Sequence, residues 1–125
     1  MARLKLKVQL YCGDEIAIGP GKADLLDAIR DTGSISAAAR QLGMSYRRAW
    51  LLVDVMNRCF AQKLVEARPG GGTRAGAQLT ETGSQVLAAY RQLSAQVEQG
   101  ARGEPYQQIE AFLRKDPLPP ADQDG

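Results

Sequence analysis

From Gly33 to Phe60 the apolar positions recur with helical spacing. Ala37, Ala38, Ala39 and Leu42 fill one short segment. Ala49, Val53, Met56 and Phe60 then fall at i, i+4, i+7 and i+11 of a longer one, which puts them on one side of a helix. Ser34 or Ser36 is the expected cap of the first helix and Ser45 of the second, because a serine oxygen accepts a free first-turn N–H. Gly43 between them permits the left-handed turn that ends a helix. The small residues Ala39 and Ala49 let the two helices cross closely at a steep angle, the arrangement of a helix-turn-helix. Tyr46 and Leu52 flank the buried side of the second helix. Arg47, Leu51, Asp54 and Arg58 point away from it, with Arg48 and Trp50 on the shoulders.

Upstream, Leu4, Leu6, Val8 and Leu10 alternate with Lys5, Lys7 and Gln9, which predicts a strand over residues 4–10. Lys5 and Lys7 read as charges guarding an edge strand, with phosphate contact as the alternative. Gly13-Asp14 marks a turn, and residues 15–18 are a candidate returning strand. Gly19-Pro20-Gly21 opens a helix with Leu25, Leu26 and Ile29 as its buried stripe, ending near Thr32-Gly33.

Downstream, residues 64–68 predict a strand with Leu64 and Ala67 against the core. A glycine-rich basic loop covers residues 69–77, and Gln78-Leu79 begins a return. Strand, loop and strand directly after the second helix form a wing, in which Arg68, Thr73 and Arg74 are placed to meet phosphate or the minor groove. The loop lacks the GxxxxGK[ST] spacing of a nucleotide cradle.

Thr80 or Thr82 caps the next helix, with Gln85 in capping-box register to Thr82. Val86, Tyr90, Leu93 and Val97 make a narrow apolar seam on it, read as a dimer interface in preference to a face folded back on the core. Gly100 to Pro105 breaks this helix. Pro105 starts a terminal one carrying Tyr106, Ile109, Phe112 and Leu113, and the acidic, proline-rich end predicts a disordered tail. The expected fold is mainly α with small β elements: a winged helix-turn-helix with a long C-terminal linker and dimerisation helix. The expected division is a DNA-binding unit over residues 1–79, dimerisation and terminal helices over 80–115, and a tail over 116–125.

Composition narrows the function. The 125 residues are 44% hydrophobic and 24% charged, ordinary for a soluble globular domain. Between Arg40 and Arg74 seven basic residues face two acids, Asp54 and Glu66, while the remainder of the chain is acidic on balance. From Thr32 to Val53 there is no acid, so the helix-turn-helix carries a local positive field suited to a polyanion. There is no histidine, which removes histidine general bases, Ser-His-Asp and Cys-His catalysis and the commonest transition-metal ligand. Cys12 and Cys59 are distant in sequence, with no CxxC pattern. They are expected as reduced thiols, at least one of them buried. No apolar run approaches the ~18 residues of a membrane span, and the N-terminus does not read as a signal peptide. The expectation is a cytoplasmic protein that is not an enzyme and contacts no membrane.

The segment GSISAAARQLGMSYRRAW, followed by DVMN, LVEAR, a glycine-rich wing and LTETG, resembles the N-terminal domain of the ModE-type molybdate-responsive transcription regulators. The LysR-type regulators share the alanine-rich helix and the LTE-x-G lead-in to a linker helix. The resemblance covers roughly residues 4–100, with SYRRAW its most specific part. It implies a winged helix that pairs through its long helix, binds operator DNA, and is associated with molybdenum uptake or molybdoenzyme genes. Full-length members bind molybdate in C-terminal β-barrel domains. No counterpart is visible here, so no cofactor is expected and an effector-binding partner protein is a candidate.

The expected DNA-facing set is therefore Ser34, Ser36, Ser45, Tyr46, Arg47, Arg48, Arg68, Thr73 and Arg74. The expected function is sequence-specific binding of double-stranded DNA as a homodimeric, bacterial-type transcription regulator. The alternative is a winged-helix adaptor that binds protein. Trp50 reads equally as packing or contact, and Leu51 as a neighbour of a thymine methyl or of a protein.

Overall fold

The computed structural model describes residues 2–68 and 76–121. A short antiparallel hairpin, β1 (Leu10–Cys12) and β2 (Glu15–Ile18), precedes α1 (Pro20–Thr32), α2 (Ile35–Leu42) and α3 (Tyr46–Cys59). A second antiparallel pair follows, β3 (Val65–Ala67) and β4 (Ala77–Leu79), with Val65 opposite Leu79 and Ala67 opposite Ala77. The chain ends in α4 (Glu81–Ala101) and α5 (Glu104–Phe112).

The three central helices form where the caps and apolar spacing place them. Pro20 occupies the first turn of α1, where its missing N–H leaves no orphan. Ser34 Oγ accepts the Ala37 N–H at 2.9 Å, and Ser45 Oγ accepts the Arg48 N–H at 3.1 Å. Gly33 and Gly43 end α1 and α2 with φ of 80° and 70°, a region costly for any residue with a Cβ. Leu25, Leu26, Ile29, Met56 and Leu64 are fully buried where α1, α3 and the start of the wing meet. Ala38, Ala39 and Ala49 are also buried, and their small side chains permit the close crossing of α2 with its neighbours.

Asn57 joins α3 to the wing. Its Oδ1 accepts the N–H groups of Leu64 at 2.8 Å and Val65 at 3.2 Å, and its Nδ2 donates to the Val65 carbonyl at 3.0 Å. Thr80 joins α3, the wing and α4. Its Oγ1 caps α4 by accepting the Gly83 N–H at 2.9 Å and donates to the Lys63 carbonyl at 2.6 Å, while its own N–H reaches the Leu64 carbonyl at 2.9 Å. Thr80 is thus the cap, and Thr82 instead donates to Gln62. A Cβ on Gly83 would collide with the Leu64 carbonyl, so this close approach of helix and loop requires glycine.

Four expectations are corrected. The first strand is not residues 4–10 but Leu10–Cys12. Its partner β2 ends where Gly19-Pro20 opens α1, so residues 4–8 have no strand to pair with among the described residues. Instead the Val8 carbonyl accepts the Tyr90 hydroxyl at 2.7 Å, and Leu6 and Leu10 lie exposed. In β3 the residue that faces the core is Val65, beside Leu64. Ala67, at the wing end of a ribbon that is two-stranded among the described residues, is exposed. In the α4 seam Tyr90 is buried and Val86 packs against the core, so only Leu93 and Val97 stay exposed. Neither cysteine is fully buried: Cys12 is exposed and Cys59 half-buried, because the hairpin lies over the last turn of α3. Burial pushes the Cys59 thiol up, and the neighbouring Cys12 thiol acts in the same direction.

Arg91 fastens α4 to α1 by pairing with Asp24 at 2.8 Å and Asp27 at 2.6 Å. Among the described residues no helix is long and apolar enough to cross a membrane.

Candidate nucleic-acid interface

The surface of interest is the solvent side of α3 with the elements that frame its N-terminus. The buried side of α3 is Ala49, Val53 and Met56, which turns Arg47, Leu51 and Arg58 outward. Arg47 and Arg48 are exposed on the first turn. Neither guanidinium has a hydrogen bond or ion pair among the described residues, so both are free to meet an external anion. Arg58 is different: its Nε holds the Asp54 carboxylate at 2.9 Å, which raises the guanidinium pKa and neutralises the one acid on this face.

Tyr46, expected beside the buried side, stands 54% exposed at the N-terminus of α3. It lines a cleft of about 90 Å³ with Ile35, Ser36, Gly76 and Ala77. This cleft brings the starts of α2 and α3 together with the base of the wing. Ser36 is exposed there on the first turn of α2. Ser34 and Ser45 do not line this cleft, and their oxygens accept backbone N–H groups as caps. Their direct role is therefore to fix the helix starts.

Arg68 follows β3 and crosses the corner between α1 and α2. Its Nη1 lies 2.6 Å from where a Cβ on Gly33 would sit, and its stem packs against Gly76. Two backbone bonds fasten the same place: Arg68 N–H to the Gly76 carbonyl at 3.0 Å, and Ala77 N–H to the Gly33 carbonyl at 2.9 Å. The wing base and the helix-turn-helix are thus one unit. Thr73 and Arg74 lie outside the described residues.

The spacing of the motif marked the serines and arginines. It did not mark Asn57 or Gly83, whose work is to hold α3, β3 and α4 in register. Asn57 lies in the DVMN segment, but a single asparagine at the end of a helix has no distinctive pattern. At the other end of the molecule, Tyr106 Oη lies 2.9 Å from the Ala2 carbonyl and 3.0 Å from the Glu110 carboxylate, which also accepts the Ala2 N–H at 2.8 Å. These bonds tie α5 to the start of the chain. Its outer side carries exposed Ile109, Phe112 and, just beyond the helix, Leu113.

Residues 22–84 match the family described as bacterial regulatory helix-turn-helix protein, lysR family. The chain is 48% identical over 80 residues to the molybdenum-pterin-binding protein MopB of Rhodobacter capsulatus, covering 64% of this chain and 30% of that protein. It is 37% identical over 98 residues to the DNA-binding transcriptional dual regulator ModE of Escherichia coli K12, covering 78% of this chain and 35% of that protein. Among solved structures, full-length LysG of Corynebacterium glutamicum, an LTTR with bound effector Arg, superposes with a TM-score of 0.51 at 25% identity. That match covers 81% of this chain and 31% of that one. The chain thus spans about a third of the length of each of these proteins.

Proposed function

The chain belongs to the LysR family of bacterial regulatory helix-turn-helix proteins, and from that premise we propose that it is a transcription regulator of molybdenum-related genes that binds operator DNA as a homodimer. The observation that carries this reading is the pair Arg47 and Arg48, exposed and without partners among the described residues on the first turn of α3. That is where a recognition helix presents side chains to base edges in a major groove. Tyr46, Ser36 and Arg68 frame the same approach, and Thr73 and Arg74 are the further candidates that the sequence offers. The names of the relatives support the molybdenum association. Leu93 and Val97, left exposed on α4, are the part of the seam available to a second copy. The protein acts in the cytoplasm and is not an enzyme.

The test is binding of genomic fragments by the full chain, with and without molybdate, followed by a salt titration on a selected duplex. Arg47→Ala and Arg48→Ala each weaken binding by about 1–3 kcal/mol where the guanidinium reads a base, and lower the salt slope by about one where it meets phosphate. Unchanged affinity in the double variant contradicts the reading.

Trp50 and Leu51, 47% and 44% exposed, favour a second reading as a protein-binding winged helix. Co-purification of a stoichiometric protein in place of salt-sensitive DNA binding selects that one.

A further inference from the structure

Leu51 occupies the middle of the outward side of α3, one turn beyond Arg47. It is 44% exposed and is not part of the core or of the residues packed against it. Among the described residues no packing requires an apolar residue there, and on a solvent-facing helical position a polar residue is the usual occupant. Its surroundings are cationic. Arg47 and Arg48 lie before it, and Asp54, the nearest acid, is held by Arg58 at 2.9 Å. A face of this charge attracts a polyanion.

The edges of the base pairs in a major groove offer hydrogen-bonding groups and one apolar group, the 5-methyl of thymine. We propose that Leu51 is a specificity-determining residue that packs against a thymine methyl. This rests on the DNA-binding reading above. Four residues of helix advance about 6 Å, and successive bases lie about 3.4 Å apart, so the thymine sits within about two base pairs of the base that Arg47 meets.

The experiment uses the full chain and duplexes it selects from a randomised library. Each thymine is replaced in turn by deoxyuridine, which removes the methyl and leaves every hydrogen-bonding group in place. One such replacement per half-site is expected to weaken binding about four-fold, the value of burying one methyl-sized group. Leu51→Ala is expected to bind the thymine and uracil duplexes equally, while Arg47→Ala retains the difference at that position. Alanine is the best helix former, so the Leu51→Ala chain keeps α3, as circular dichroism checks. Selected duplexes that tolerate every uracil overturn the inference alone, as does a Leu51→Ala chain that keeps the full uracil penalty. A chain that selects no duplex overturns the DNA reading and this inference with it.

Discussion

Arg68 lies across Gly33: its Nη1 is 2.6 Å from the position a Cβ on that glycine would take, and Gly33 itself has φ of 80°. A side chain at Gly33 therefore meets two penalties. The left-handed backbone costs a residue with a Cβ roughly 1–2 kcal/mol, and Arg68 must leave the corner. Gly33→Ala is expected to lower the melting temperature by several degrees through its left-handed backbone, and to weaken DNA binding because the Arg68 guanidinium swings out of the corner. Thermal unfolding followed by circular dichroism checks the first, and fluorescence anisotropy with a selected duplex the second. A variant that melts with the native chain contradicts the geometry.

Asn57→Ala is expected to destabilise the chain by about 2–3 kcal/mol, because it leaves the Leu64 and Val65 N–H groups and the Val65 carbonyl without their side-chain partner. Asn57→Asp keeps the acceptor for both N–H groups and should recover part of the loss. Urea unfolding of the two variants measures the difference. Equal midpoints for Asn57→Ala and the native chain would show that the α3–β3 connection holds without the asparagine.

The Glu110 carboxyl is held below the usual carboxylate range, first by the Ala2 N–H and then by the Tyr106 hydroxyl. A depressed folded value means that its contribution is complete above the ordinary glutamate pKa of about 4.3 and disappears as pH falls through the lower folded value. The Ala2 amide resonance should therefore titrate with Glu110 at a midpoint below that of a glutamate in a model peptide. Glu110→Gln should abolish that step. A midpoint at or above the peptide value rules out the contact.

Much of the fold is legible in the sequence where a local signal and the tertiary outcome agree. Ser34, Ser45 and Gly43 set the ends of α2 and α3 by their own backbone chemistry, and Leu25, Leu26 and Ile29 are buried as their spacing requires. The first strand misled because alternation reports a pleated half-buried surface but not the length of its partner. Residues 4–8 run on past the end of β2 and dock through Val8 onto Tyr90. Tyr90 misled in the complementary way, since a seam of period seven looks the same whether its partner is a second copy or the chain's own core. Leu87, buried beside it, falls outside that seam. Of the candidate interface, helix phase turns Arg47 outward and puts Arg48 on a shoulder, but it sets Tyr46 beside the buried side, where the structure leaves it exposed. The convergence of Ser36, Tyr46 and the wing base depends on how three elements meet, which no local window contains.

Thr80 has a consequence for how the molecule would work as a pair. One threonine ties the start of α4 to the loop that leaves α3, through three hydrogen bonds at 2.6–2.9 Å. Beyond it Leu87 and Tyr90 sit in the core and Arg91 pairs with Asp24 and Asp27 of α1, so the first half of α4 is held to the body and only the ten residues from Gln92 to Ala101 project, a lever about 15 Å long. A bend of roughly 20° just past Arg91 moves the far end by about 5 Å, more than one base-pair step. Were two copies to pair through Leu93 and Val97, the gap between their reading heads would be set by the stiffness of these projecting halves as well as by the surface where they meet.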